Sequence, residues 1–166
     1  MKNLNLSFFI PKRPFQGLLL FFKNYEVLCI LIFLSVLSIV TFTVNLQNGL
    51  GLSYNDARSH LDIGRRVVEG LKPGIAQLGS VWLPLPHILM IPTVWNDTMW
   101  HSGLSGALQS MISYVATGGI IYHYLKRLRV MILGRFTAIF VFATNLNVLY
   151  LQSTAMTELL LIATMT

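Results

Sequence analysis

Polar and apolar positions alternate in long blocks along this chain, not residue by residue. Val27 to Val44 carries no charge, and at 1.5 Å per helical residue it is long enough to cross about 30 Å of hydrocarbon. A polar island follows from Ser53 to Pro92. From Leu104 to Leu125 there is again no Asp, Glu, Lys or Arg. A third apolar run goes from Val130 to about Tyr150, with Arg135 near its start and Asn145 and Asn147 interrupting its far end. Glu158 opens a fourth run that stops at Thr166, and eight helical residues rise only about 12 Å. The pattern predicts an all-α, polytopic transmembrane helical protein. Its spans cover about 27–46, 103–125 and 130–150, with a truncated fourth from 158. The expectation is an N-terminal piece of a longer protein.

The island itself reads as amphipathic. From Asp56 to Leu71, the residues Ala57, Leu61, Gly64, Val68 and Leu71 recur at helical spacing, with Asp56, Ser59, Asp62, Arg66 and Glu69 on the other side. Ser53 three residues before Asp56 resembles a capping box, and Lys72-Pro73-Gly74 is the expected stop. Val81 to Trp95 is apolar but broken by Pro84, Pro86 and Pro92, too short to span. Both pieces are expected to be interfacial helices of one large external loop, 47–102, with Trp82, Trp95 and Trp100 as interface anchors.

Composition agrees with the blocks. Of 166 residues, 54% are hydrophobic and 11% charged, against about 25% charged in a soluble domain. So little charge could not cover the apolar surface, and a lipid bilayer is the simpler solvent. The twelve Lys and Arg fall in three clusters. They suit membrane interfaces and form no nucleic-acid footprint. Lys2, Lys12, Arg13 and Lys23 precede the first span, which predicts a cytoplasmic N-terminal tail over 1–25 and an integral, multi-pass membrane protein. Pro11 and Pro14 should interrupt any earlier helix. The lone Cys29 gives neither a disulfide nor a redox pair. Gly103, Ser105, Gly106, Ala107, Gly118 and Gly119 should let other helices approach the second span closely.

Topology then yields candidate chemistry. With the N-terminus inside, Asp56 and Glu158 lie on the same, outer side, about a hundred residues apart in sequence. Two carboxylates at one surface could hold a divalent metal ion, or act as a base and its orienting partner. Each also suits the first turn of a helix through the dipole alone. Arg58, Arg65 and Arg66 could meet a phosphate by bidentate donation or could simply touch lipid headgroups. His60 lies one turn beyond Asp56, and His87 follows two prolines that fix its backbone, so both are candidates for substrate contact. The four histidines show no metal-ligand spacing.

Particular residues resemble a known family. Tyr54-Asn55-Asp56-Ala57-Arg58, the small positions through Gly70, Leu83-Pro84-Leu85-Pro86-His87, Asn145-Leu146-Asn147 with Tyr150, and Ser153-Thr154-Ala155-Met156-Thr157-Glu158 occur in this order. The order is similar to that of the GT-C glycosyltransferases, in the branch of protein mannosyltransferases and aminoarabinose transferases. The resemblance implies transfer of a sugar from a polyprenyl-phosphate donor to a lipid, glycan or protein acceptor at the outer membrane face. Asp56 would be the catalytic carboxylate and Glu158 the second acid. Ala57 follows Asp56 where many members have a second acid, and Trp82 and Leu83 stand where the aminoarabinose branch has an acid and a lysine. Two other readings remain: part of a transporter or lipid flippase, and a non-catalytic membrane assembly protein.

Overall fold

The computed structural model describes residues 15–78 and 81–166. The basic tail and its two prolines, apart from Lys23, lie outside the described residues. The fold is all-helical, with no strand among the described residues. In chain order come α1 (Phe15–Gln47), α2 (Asn55–Glu69), a 3-10 turn (Ile75–Gln77), α3 (Leu85–Val94), α4 (Asp97–His101), α5 (Leu104–Arg127), α6 (Ile132–Thr144), α7 (Leu146–Gln152) and α8 (Glu158–Met165).

Two helical stretches, Tyr25–Gln47 and Leu104–Arg127, are long and apolar enough to cross a membrane, and α6 with α7 makes a third if the bent pair counts as one span. Within α1 the helix is kinked at Tyr25 (φ −116°, ψ 21°), so the spanning part begins there. The third run is broken where its asparagines stand. Asn145 is extended, and its side chain accepts hydrogen bonds from the backbone amides of Asn147 and Val148. It thereby caps a new helix, and α7 turns 62° from α6.

Helix α5 is the hub, packing against α1, α3, α6, α7 and α8. The reason lies in its side chains. Gly106, Ser110, Ser113 and Thr117 fall at helical spacing on a buried face and bring neighbouring backbones close. A Cβ on Gly106 would lie 2.8 Å from Ala155 Cα, and one on Gly118 would meet the Leu34 side chain. Thus α8 and its preceding turn sit against one end of α5, and α1 against the other. Two apolar cores result. Ile30, Leu34, Tyr114, Tyr122, Ile139, Ala143 and Leu159 join α1, α5, α6 and α8. Ala57, Leu61, Met90, Val94, Ala155 and Met156 join α2 and α3 to the turn before α8. Along α1, by contrast, Leu28, Ile32, Phe33, Val36, Ile39 and Val40 stay exposed, as a lipid-facing surface would be.

Three local expectations change. The start of α2 has no capping box: Tyr54 is the cap residue and makes no side-chain cap, while Ser53 Oγ bonds the Leu50 carbonyl and Tyr150 Oη (2.9 and 2.8 Å). Ser53 stands one residue too early to cap a helix that begins at Asn55. The helix ends at Glu69, with Gly70 extended, before the Lys72-Pro73-Gly74 stop. Its buried stripe is Ala57, His60, Leu61, Ile63, Gly64 and Val67. Leu71 is fully exposed because it lies beyond the helix end.

Candidate functional site

The first turns of α2 and α8 meet at one end of the bundle. A cleft of about 340 Å³ there is lined by Tyr54, Asp56, Asn147, Tyr150, Leu151, Met156 and Glu158. The chain brings Asp56 and Glu158 into one cleft because α1 and α5 are antiparallel and the α6–α7 pair returns to the same end. The turn before α8 is held by Ser110 Oγ, which donates to the Met156 carbonyl (2.7 Å), and by Asn45 Nδ2, which donates to Ser153 Oγ (2.5 Å). Across the cleft, Tyr150 Oη is tied to Ser53 and the Leu50 carbonyl. Both acids are therefore placed by elements fixed on opposite sides.

Neither carboxylate has an ion-pair partner among the described residues. Glu158 Oε2 is buried without a hydrogen bond. A buried carboxylate oxygen left unsatisfied costs free energy unless a proton or a cation completes it. The wall offers phenols, an amide and two acids but no Lys, Arg or His. The described residues contain no group of three metal-binding side chains. A cation here would therefore rest on Asp56 and Glu158 and take its other ligands from substrate or water, as a hard oxygen-liganded ion does.

The basic candidates lie elsewhere. Arg58 pairs with Asp62 (3.2 Å) and its guanidinium sits 3.9 Å over the Trp100 ring. Arg65 covers the same ring at 4.5 Å and pairs with Glu69 and with Asp97 of α4 (2.6 and 2.5 Å). Trp100 Nε1 donates to Asp62 (3.2 Å). These residues form one network that fastens α2 to α4, so Trp100 is a packing element beneath two guanidinium groups. Arg66 bonds only the Asp62 carbonyl, through Nε, and is exposed. Of the three arginines it alone has no acidic partner among the described residues.

His60 and His87 come together although 27 residues separate them. His60 Nδ1 and His87 Nε2 lie 3.0 Å apart, and both side chains are buried. Trp82 packs on His60 with ring centroids 4.7 Å apart. Burial pushes the His60 imidazole below its ordinary value, and the nearby Asp56 acts the other way. Burial also lowers His87, helped by charge on His60; the Leu83 carbonyl opposes this without forming a bond of good geometry to the buried Nδ1. Neither histidine lines the cleft.

At the opposite end of the bundle is a cluster the sequence reading overlooked. Glu26 is buried and bridges Lys126 and Arg135, the latter at 3.2 Å, and accepts a hydrogen bond from Tyr122 Oη at 2.9 Å. The available signal was topological. Glu26 is the lone acid at the start of the first span, and antiparallel helices place it beside the ends of the second and third.

Compared with known proteins, the chain matches no family model, no curated protein and no solved structure.

Proposed function

We propose that the chain is part of a membrane glycosyltransferase of GT-C type, with the cleft between Asp56 and Glu158 as its reaction site. The observation that supports this reading most is that two carboxylates without an ion-pair partner among the described residues, each in the first turn of a helix, share one cleft. The proposed substrates are a polyprenyl-phosphate sugar and a hydroxyl-bearing lipid, glycan or protein, meeting at the outer face of a bilayer crossed with the N-terminus inside.

In this reading the acceptor oxygen attacks the anomeric carbon, the bond from that carbon to the phosphate oxygen breaks, and the acceptor proton passes to the Asp56 carboxylate. Glu158 orients the attacking hydroxyl or shares a divalent cation with Asp56. Such a cation would supply charge neutralisation for the departing phosphate, which matters because no basic side chain lines the cleft. Tyr54, Tyr150 and Asn147 supply the neutral hydrogen-bonding groups that a sugar needs. Arg66 is the proposed phosphate contact, being the arginine of α2 for which the described residues supply no acidic partner. Arg58, Arg65, His60 and His87 act at a distance, by holding α2 in place.

The test is transfer of a labelled sugar from a polyprenyl-phosphate donor in membranes containing the protein, with Asp56→Asn and Glu158→Gln compared at equal expression. Transfer that survives both substitutions would end this reading. Flux of a lipid or solute without sugar transfer would favour a transporter.

A further inference from the structure

The buried histidine pair is the feature that the proposed chemistry leaves unused. A ring nitrogen of α2 and one of α3 face each other at 3.0 Å, a hydrogen-bond distance, so the space between them holds one proton. One tautomer donates from His60 Nδ1 and the other from His87 Nε2. Around the pair, Leu61 of α2 and Met90 of α3 share one apolar core. One turn along α2, a Cβ on Gly64 would lie 3.5 Å from Met90 Cβ and 3.8 Å from the His87 carbonyl.

We propose that His60 and His87 form a one-proton latch that locks α2 onto α3 and lets go on acidification, when protons on both facing nitrogens oppose each other. The first added proton goes to His60, the ring that Asp56 favours, and an N–H···N bond survives it. The second falls on His87 against the charge now on His60, and it breaks the bond. The charged surroundings are few. On α2 the field is that of Asp56, which forms no ion pair with His60. The 81–94 stretch that carries α3 has no titratable group besides His87, the 3-10 turn has none, and α5 has no acid, Lys or Arg before Lys126. On α4, Asp97 is engaged by Arg65. Of these groups Asp56 acts on the pair, and burial outweighs its field at His60.

The sign follows from burial. Both rings titrate lower in the folded chain than the ordinary value near 6.5, so the unfolded chain binds more protons at acid pH. The latch is at full strength above about pH 6.5 and weakens as the pH falls below that toward the folded values. Because the pair holds the helix whose first turn carries Asp56, it is a positioning device and touches no substrate in the proposed reaction.

Trp82 reports the first proton, since its ring lies against His60 and an imidazolium quenches indole emission, and release by the second is read in the same titration as faster amide exchange of α2 and α3. The chain in lipid nanodiscs is titrated from pH 7.5 to 4.5, alongside Trp82→Phe, so that the difference isolates Trp82. Reversible loss of Trp82 emission below about pH 6.5 is expected. The double substitution His60→Asn with His87→Gln keeps amide donors and acceptors where the facing nitrogens stood, and it should abolish the transition with α2 still helical. Should that variant fail to fold, nitrogen NMR on histidine-labelled native chain decides: at pH 7.5 one protonated and one bare nitrogen should couple through the hydrogen bond. An unchanged transition in the double variant, no transition in the native chain, or no coupling across the pair would each overturn the latch. None of these readouts depends on sugar transfer, so failure of the glycosyltransferase reading leaves the test intact.

Discussion

Two acidic sites, one at each end of the bundle, are built in opposite ways. At one end Glu26 is buried among Lys126, Arg135 and Tyr122, and its charge is met by two cations. At the other, Asp56 and Glu158 share a cleft with no cation among its lining residues, and a Glu158 oxygen is buried unsatisfied. An acid that stabilises a helix bundle is surrounded by what neutralises it. In the proposed reaction, Asp56 and Glu158 are left incomplete until a ligand arrives. The contrast teaches that placement near a membrane surface does not by itself mark a functional carboxylate. What separates the two ends is the partner set, which only the fold assembles.

Substitutions can break this contrast, beginning with the largest effect. Asp56→Asn should reduce sugar transfer about 10²–10⁴-fold, the range for loss of a general base, while leaving thermal stability within about 0.5 kcal/mol. A variant that loses stability instead would move Asp56 to the structural class. Glu26→Gln should do the reverse. It leaves Lys126 and Arg135 facing a neutral amide, and unfolding measured in bicelles should show a loss of about 2–3 kcal/mol. That lies below the value for a fully buried pair because Lys126 is half exposed. Gly106→Ala forces a methyl against the Ala155 backbone, so a loss of about 1–3 kcal/mol is expected, together with reduced transfer because the turn leading to Glu158 must shift. Tyr122→Phe removes one hydrogen bond from an acid that keeps both cations. It should cost about 1 kcal/mol and leave transfer unchanged, read by the same unfolding assay.

The apolar runs were legible because a chain in contact with hydrocarbon must satisfy its backbone within each helix, and length and composition then fix the spans. The break at Asn145 was legible for a related reason: asparagine competes with its own backbone and ends a helix wherever its side chain can cap the next one. The amphipathic character of α2 was also legible, though its limits were not. Ser53 matched a capping pattern in spacing but is claimed by Leu50 and Tyr150, one of them about a hundred residues distant in sequence. Local signals lose to such long-range partners.

The candidate site divides in the same way. Counting spans from the sequence puts Asp56 and Glu158 at one end, and they do line one cleft. The fates of the basic residues could not be read. Arg58 and Arg65 find Asp62, Glu69, Asp97 and the face of Trp100, and His60 finds His87. A guanidinium or imidazole takes whichever partner folding brings within about 3 Å, and periodicity carries no information about neighbours 27 or 32 residues away.

By itself, then, the sequence determined the helical class, the apolar stretches long enough to cross a membrane, and the end at which each acid emerges. These depend on transfer free energies that each residue carries wherever it sits. The tertiary structure alone decided which charges are neutralised, which histidines face each other, and which carboxylates line one cleft. Those depend on distances of a few ångströms between segments remote in sequence, set by how closely the small residues of α5 let the other helices approach.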